Sequence, residues 1–203
     1  MKKYRPDQYD LTEFVPYYDE VPLWSAPFGL RLLEQINYRK SIKALDIGFG
    51  NGFPLTELAM RLGETSAVYG IDPWKAATDR AKQKLRYYGI ENVFFLEGVA
   101  EGIPLPDQSL DLVVSNNGLN NVEDLQKALS ECSRVLRKGG QLVITLNTDK
   151  SMMEFYSTLE EVLLERKMKR EVEKMHQHIY EKRRPEAEWV EMLQEAGLTV
   201  NSL

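Results

Sequence analysis

The chain of 203 residues has one cysteine, two histidines and no run of eighteen apolar residues, and each scarcity excludes a class of protein. A single thiol, Cys132, builds neither an internal disulfide framework nor a multi-cysteine zinc or iron–sulfur site, and it suits a reducing cytoplasm. Without a long apolar run no membrane-spanning helix is expected. The opening MKKYRPDQYD follows its lysines with polar residues instead of the apolar stretch of a secretory signal. Positive charge is not in excess either. The 26 Lys and Arg against 31 Asp and Glu leave a formal charge of −5, which argues against a broad nucleic-acid footprint or an anionic-membrane anchor. What is left is a soluble chain, 43% hydrophobic, with the length of one ordinary domain and room for an appended lid.

From position 41 onward short apolar runs alternate with amphipathic stretches, the pattern of an α/β protein with a parallel sheet. Runs at 42–47, 67–71, 93–96, 110–115 and 141–146 are rich in Val, Ile and Leu and too short for independent helices, so they read as five strands. Residues 55–62, 75–88 and 122–137 have helical spacing, with Gly89 and Gly139 as stop signals for the last two. In the third of these, Leu125, Ala128, Leu129, Cys132, Val135 and Leu136 form one stripe, which puts Cys132 in the core as a small hydrophobe. Residues 1–40 crowd Tyr4, Tyr9, Phe14, Tyr17, Tyr18, Trp24 and Phe28 among prolines and read as an N-terminal cap, either packed on the sheet edge or walling a substrate pocket. Residues 41–203 form the main domain. A helical lid of one or two helices is inserted at about 151–184, with a sparse apolar line through Phe155, Leu159, Val162, Leu163 and Met168, and a further helix at 189–196 leads to one short strand.

The chemistry concentrates at Asp46-Ile47-Gly48-Phe49-Gly50-Asn51-Gly52, where the first strand meets the first helix. Glycines there let the backbone turn tightly and approach a ligand. Their spacing, at 48, 50 and 52, misses the Gly-x-Gly-x-x-Gly pyrophosphate fingerprint, and no Gly-Lys-Ser/Thr cradle is present. Asp46 puts a carboxylate where the phosphates of a dinucleotide would lie, which repels an anion and suits a cationic, amine-bearing ligand such as S-adenosylmethionine. Asp72 ends the second strand at a spacing suited to ribose hydroxyls, or is a simple turn residue ahead of Pro73.

These motifs, with Gly98-Val99-Ala100-Glu101-Gly102-Ile103-Pro104-Leu105-Pro106, Leu110-Asp111-Leu112-Val113-Val114-Ser115 and Arg134-Val135-Leu136-Arg137-Lys138-Gly139-Gly140, resemble the class I S-adenosylmethionine-dependent methyltransferases. The likeness is greatest to the small-molecule group that includes the ubiquinone and menaquinone biosynthesis enzymes. The resemblance covers residues 41–146. It implies a Rossmann-like, doubly wound, mainly parallel sheet with flanking helices. It also implies a site in which Gly48, Gly50, Asn51 and Gly52 hold the methionine moiety, Asp72 takes the ribose, and Pro73 and Trp74 border the adenine. Val99, Ala100 and Glu101 would meet the adenine from the other side, although the family commonly has Asp or Asn at the position of Val99. Asn116 would border the cofactor near the reacting centre, or else belong to an asparagine-rich turn that caps the next helix.

Methyl transfer from a sulfonium is an in-line displacement that releases a neutral leaving group, so alignment and exclusion of water dominate. If the acceptor's proton needs a base, His176, His178, Glu181, Tyr17 and Tyr18 are candidates, and no catalytic residue is assigned. The aromatic and methionine content of cap and lid points to an apolar or aromatic small-molecule acceptor. An S-adenosylmethionine-binding sensor or regulatory subunit without catalysis is the rival reading.

Overall fold

The computed structural model describes Val15 and residues 22–202, without the side chains of residues 22–25 and 181. Tyr4, Tyr9, Phe14, Tyr17 and Tyr18 of the expected cap lie outside the described residues, as do the side chains of Trp24 and Glu181. The chain divides into two compact units, Met1–Thr145 and Leu146–Leu203. No helix among the described residues is long and apolar enough to cross a membrane.

In the first unit the described elements run α1 (Pro22–Glu34), β1 (Lys43–Ile47), α2 (Leu55–Leu62), β2 (Ala67–Ile71), α3 (Lys75–Tyr88), β3 (Val93–Leu96), β4 (Leu110–Asn116), α4 (Leu125–Val135) and β5 (Leu136–Thr145). The five strands form one sheet in the order β3-β2-β1-β4-β5, and every neighbouring pair is parallel. Successive strands walk outward from β1 in one direction and from β4 in the other. The chain after β1 and after β4 therefore heads in opposite directions, and a crevice opens at the carboxyl ends of the sheet where the two loops begin. The two central strands are buried almost throughout, as continuous apolar runs covered on both faces should be. Leu45, Leu55, Leu58, Val68, Leu112 and Val114 are fully or almost fully withdrawn from solvent. Burying such a side chain contributes about 1.5–3 kcal/mol.

At the opposite end of the sheet, Asp111 Oδ2 accepts a hydrogen bond from the Lys43 N–H at 2.9 Å, and its carboxylate pairs with Arg137. Helix α4 begins with an Asp124 cap, whose Oδ1 accepts from the Lys127 N–H at 3.0 Å, and buries the expected Ala128, Leu129, Cys132 and Val135.

Gly139 does not end that helix. Leu136 already adopts extended backbone to pair with Leu110, so α4 stops at Val135 and β5 starts five residues before the expected position 141. Gly139, with φ +76°, instead turns the chain within the exposed start of β5.

The second unit holds α5 (Met153–Glu165), α6 (Lys169–Lys182) and α7 (Glu186–Glu195). Two helices occupy the expected lid segment, but the apolar line in α5 is not its core. Phe155 is 52% and Val162 42% exposed, and α5 has no buried residue. The buried positions are Val172 and Met175 in α6 and Trp189 and Leu193 in α7, where charged neighbours hide the spacing. The short strand expected after Gly197 is also absent from the described residues. Gly197 donates to Gln194 O and Leu198 to Leu193 O, the two bonds of a Schellman closure, so the chain there finishes α7.

Candidate cofactor site

Strand β1 delivers Asp46 one residue before its carboxyl end, in a strand that is otherwise apolar after Lys43. The side chain is fully buried, and neither carboxylate oxygen has a hydrogen-bond partner. Burial pushes its pKa well above the ordinary carboxylate value, and the negative charge of Asp72 adds in the same direction. The Leu55 backbone N–H at the start of α2, which lies outside hydrogen-bond geometry, offsets only part of this. Asn51 lies in the loop that follows. Its Nδ2 donates to the Val15 carbonyl at 3.0 Å, while its Oδ1 is buried without a partner.

Between them, Gly48 and Gly50 have φ of +73° and +51°, the left-handed region that favours glycine. A Cβ built on Gly50 would meet nothing within 4 Å, so this stretch of backbone faces open space. The loop thus combines exposed backbone with three buried oxygens that lack partners, the two of Asp46 and the Oδ1 of Asn51. Such a donor set fits a ligand that brings positive charge and N–H groups, as S-adenosylmethionine does, and rejects an anion.

Asp72, one residue beyond β2, is half-buried. Its Oδ2 accepts from the Gly50 N–H and its Oδ1 from the Trp74 N–H, both at 2.8 Å. One carboxylate therefore clamps the glycine loop to the turn that starts α3, and each oxygen keeps a lone pair for a hydroxyl. Trp74 is half-buried and Pro73 exposed beside it.

On the β3 side, Val99 is 45% exposed and Ala100 is buried in a short helical turn. Glu101 turns elsewhere: its Oε1 accepts from the Glu123 and Asp124 N–H groups at 2.7 and 3.2 Å, ordering the approach to α4. Asn116, at the end of β4, is buried, and its Oδ1 accepts from Thr145 Oγ1 at 2.8 Å. Helix α1 reaches the same place, since a Cβ on Gly29 would lie 2.2 Å from the Phe53 ring and 3.1 Å from Asn116 Nδ2.

Two residues to which the sequence analysis gave no role, Gly118 and Ser115, complete the crevice. A Cβ on Gly48 would lie 2.7 Å from Gly118 Cα, so the loops leaving β1 and β4 meet backbone to backbone. Ser115 Oγ fastens that meeting, donating to Ile47 O at 2.9 Å and accepting from the Leu119 N–H at 3.1 Å. A glycine two residues beyond a strand was the available signal for Gly118. Among the base candidates, His176 Nε2 lies 3.0 Å from Glu160 Oε1, and His178 is exposed.

A family described as a methyltransferase domain matches residues 45–144. A demethylmenaquinone methyltransferase of Geobacillus sp. is 32% identical over 123 residues, covering 61% of this chain and 53% of the relative. The enzyme of that name from Staphylococcus aureus is 31% identical over 152 residues, 75% of this chain and 60% of the relative. The chain thus spans between half and two thirds of their length. Among solved structures, an S-adenosylmethionine-dependent methyltransferase from Aquifex aeolicus superposes with a TM-score of 0.71 at 22% identity, over 96% of this chain and 92% of the other, a likeness of fold.

Proposed function

We propose that this chain, whose residues 45–144 match a methyltransferase domain, is a class I S-adenosylmethionine-dependent enzyme that moves a methyl group from S-adenosylmethionine to a small apolar or aromatic acceptor. The observation that carries this reading is the buried, partnerless Asp46 beside the open Gly50 backbone. Asp46 supplies the counter-charge for the cationic end of the cofactor, and Asn51 Oδ1 a second acceptor. Asp72 holds the ribose, with Pro73, Trp74, Val99 and Ala100 around the base and Asn116 beside the reacting end. Glu101 acts at one remove, through the backbone it orders ahead of α4.

Bound S-adenosylmethionine supplies an electrophilic methyl on a sulfonium that departs as a neutral thioether. The protein's task is then to fix the direction of approach and to keep water out, for which the rigid Gly48–Gly118 contact and the Asp72 clamp are suited. The names of the relatives point to an acceptor like demethylmenaquinone, and the single buried thiol suits a reducing cytoplasm. Calorimetry with S-adenosylmethionine and with NAD, followed by an acceptor panel scored for S-adenosylhomocysteine release, tests the proposal. Binding of the first ligand and turnover of one acceptor are expected. Tighter binding of NAD overturns the cofactor assignment, and cofactor binding without turnover of any acceptor favours a sensor.

A further inference from the structure

The glycine loop follows β1, Asp72 follows β2 and Val99 follows β3, and these three strands lie side by side and parallel. Adjacent strands are about 4.8 Å apart, so a ligand lying across their carboxyl ends passes the glycine loop, then Asp72, then Val99 within about 10 Å. With the ribose on Asp72, the base extends toward β3, and the edge of an adenine that carries its 6-amino group is far from the sugar. Val99 stands in that direction, 45% exposed and in extended backbone.

The wall that the base meets there is apolar. Pro73, Val99 and Ala100 have no polar side-chain atom, and the Trp74 indole carries a donor only. Main-chain groups beside them are already in use. The Trp74 N–H donates to Asp72 Oδ1 at 2.8 Å, the Trp74 carbonyl accepts from the Thr78 N–H at 3.1 Å, and the Val99 carbonyl accepts from the Gly102 N–H at 3.2 Å. Of the two carboxylates near Val99 in sequence, Glu101 reaches away to the Glu123 and Asp124 N–H groups, and Glu97 is exposed, where water competes for any bond it makes. The wall therefore has no buried side-chain acceptor to offer an amine.

A site rejects an analogue that lacks a hydrogen-bonding group when a buried partner is left unpaired, and a site that makes no such bond has nothing to lose. We propose that this chain holds the base of its cofactor by shape and does not read the 6-amino group, Val99 being the residue that makes it indifferent, so a cofactor altered at that group is accepted as readily as the adenosine form. The inference rests on the S-adenosylmethionine reading above and deepens it. Selection falls to the ribose and the charged end, at Asp72 and Asp46, and the base end is permissive.

Titration calorimetry on the full chain compares S-adenosylhomocysteine with the analogue that carries hydrogen in place of the 6-amino group. The two are expected to bind within about threefold of each other. Val99→Asp puts an acceptor on the wall and opens a preference of about tenfold for the amine-bearing ligand, and Val99→Asn opens a smaller one in the same direction, so the test survives if either variant fails to fold. Val99→Ala trims the wall without supplying an acceptor and keeps the ratio of the parent. A larger preference in the parent, or equal binding that persists in both the Asp and the Asn variants, overturns the role of Val99 while leaving the cofactor reading in place. A parent that binds neither ligand strikes the cofactor reading itself, and this inference with it.

Discussion

Replacing Asp46 with Asn should make the free protein more stable and the cofactor weaker, two effects of opposite sign from one atom. The carboxylate is fully buried without a hydrogen-bond partner, a condition that costs about 1–3 kcal/mol and more for a charged group. The amide keeps the shape and removes the charge. At about 2–4 °C per kcal/mol for a chain of this size, the unfolding midpoint of the free variant at pH 8 should rise by about 2–12 °C.

The pH dependence has a definite sign. The folded pKa of Asp46 lies well above its ordinary value of 3.8, so the native state binds the proton more tightly than the unfolded chain. Its contribution to stability is fully present below the ordinary value and is lost as pH rises through the raised one. The advantage of the Asn variant should therefore be small near pH 4 and grow toward pH 8. In the same variant S-adenosylmethionine loses its charged acceptor, worth about 1.5–3 kcal/mol, so its dissociation constant should rise about 10- to 150-fold. Scanning fluorimetry across pH and titration calorimetry read the two effects. Midpoints of parent and variant that coincide at every pH, or cofactor affinities that do, would refute the assignment of Asp46 as an unpaired acid waiting for a cation.

Asp72→Ala should weaken S-adenosylmethionine by about 1–3 kcal/mol and also speed hydrogen exchange at the Gly50 and Trp74 amides it now accepts from, whereas unchanged exchange would deny the clamp. Gly118→Ala places a Cβ 2.3 Å from Ile47 O and 3.0 Å from Gly48 Cα, and the overpacking should cost about 1–3 kcal/mol in urea denaturation, with a silent substitution showing that the loops do not touch. Burial pushes the Cys132 thiol from 9.0 up to about 12, which cuts its thiolate population at pH 8 about a thousandfold, so iodoacetamide should label it only after unfolding.

Elements whose signals are local were legible before the structure. Helices α2 and α3 span the expected 55–62 and 75–88, and the five apolar runs are the five strands, because each is an uninterrupted pattern with its own boundary. The end of α4 was misplaced because its last residue is decided by a distant one: Leu136 turns extended to reach Leu110, and Gly139 is spent later. In the second unit the spacing of Phe155 and Val162 was the clearer pattern, yet burial went to Val172 and Met175, interleaved with Glu171, Glu173 and Lys174. At the site, the acidic residues stood out as departures from apolar strands. The turning away of Glu101 toward α4 and the contact of Gly118 with Gly48 depend on partners 22 and 70 positions away, which no local pattern encodes.

The meeting of Gly48 and Gly118 has an evolutionary consequence. A joint of main chain against main chain, fastened by the Ser115 hydroxyl, leaves almost nothing to vary, so neither loop can be reshaped by substitution without parting from the other. The crevice is thereby frozen as a socket. A lineage built on this chain would have to acquire new acceptors by altering surfaces elsewhere, while the holder of the methyl donor passed unchanged from one specialist to the next.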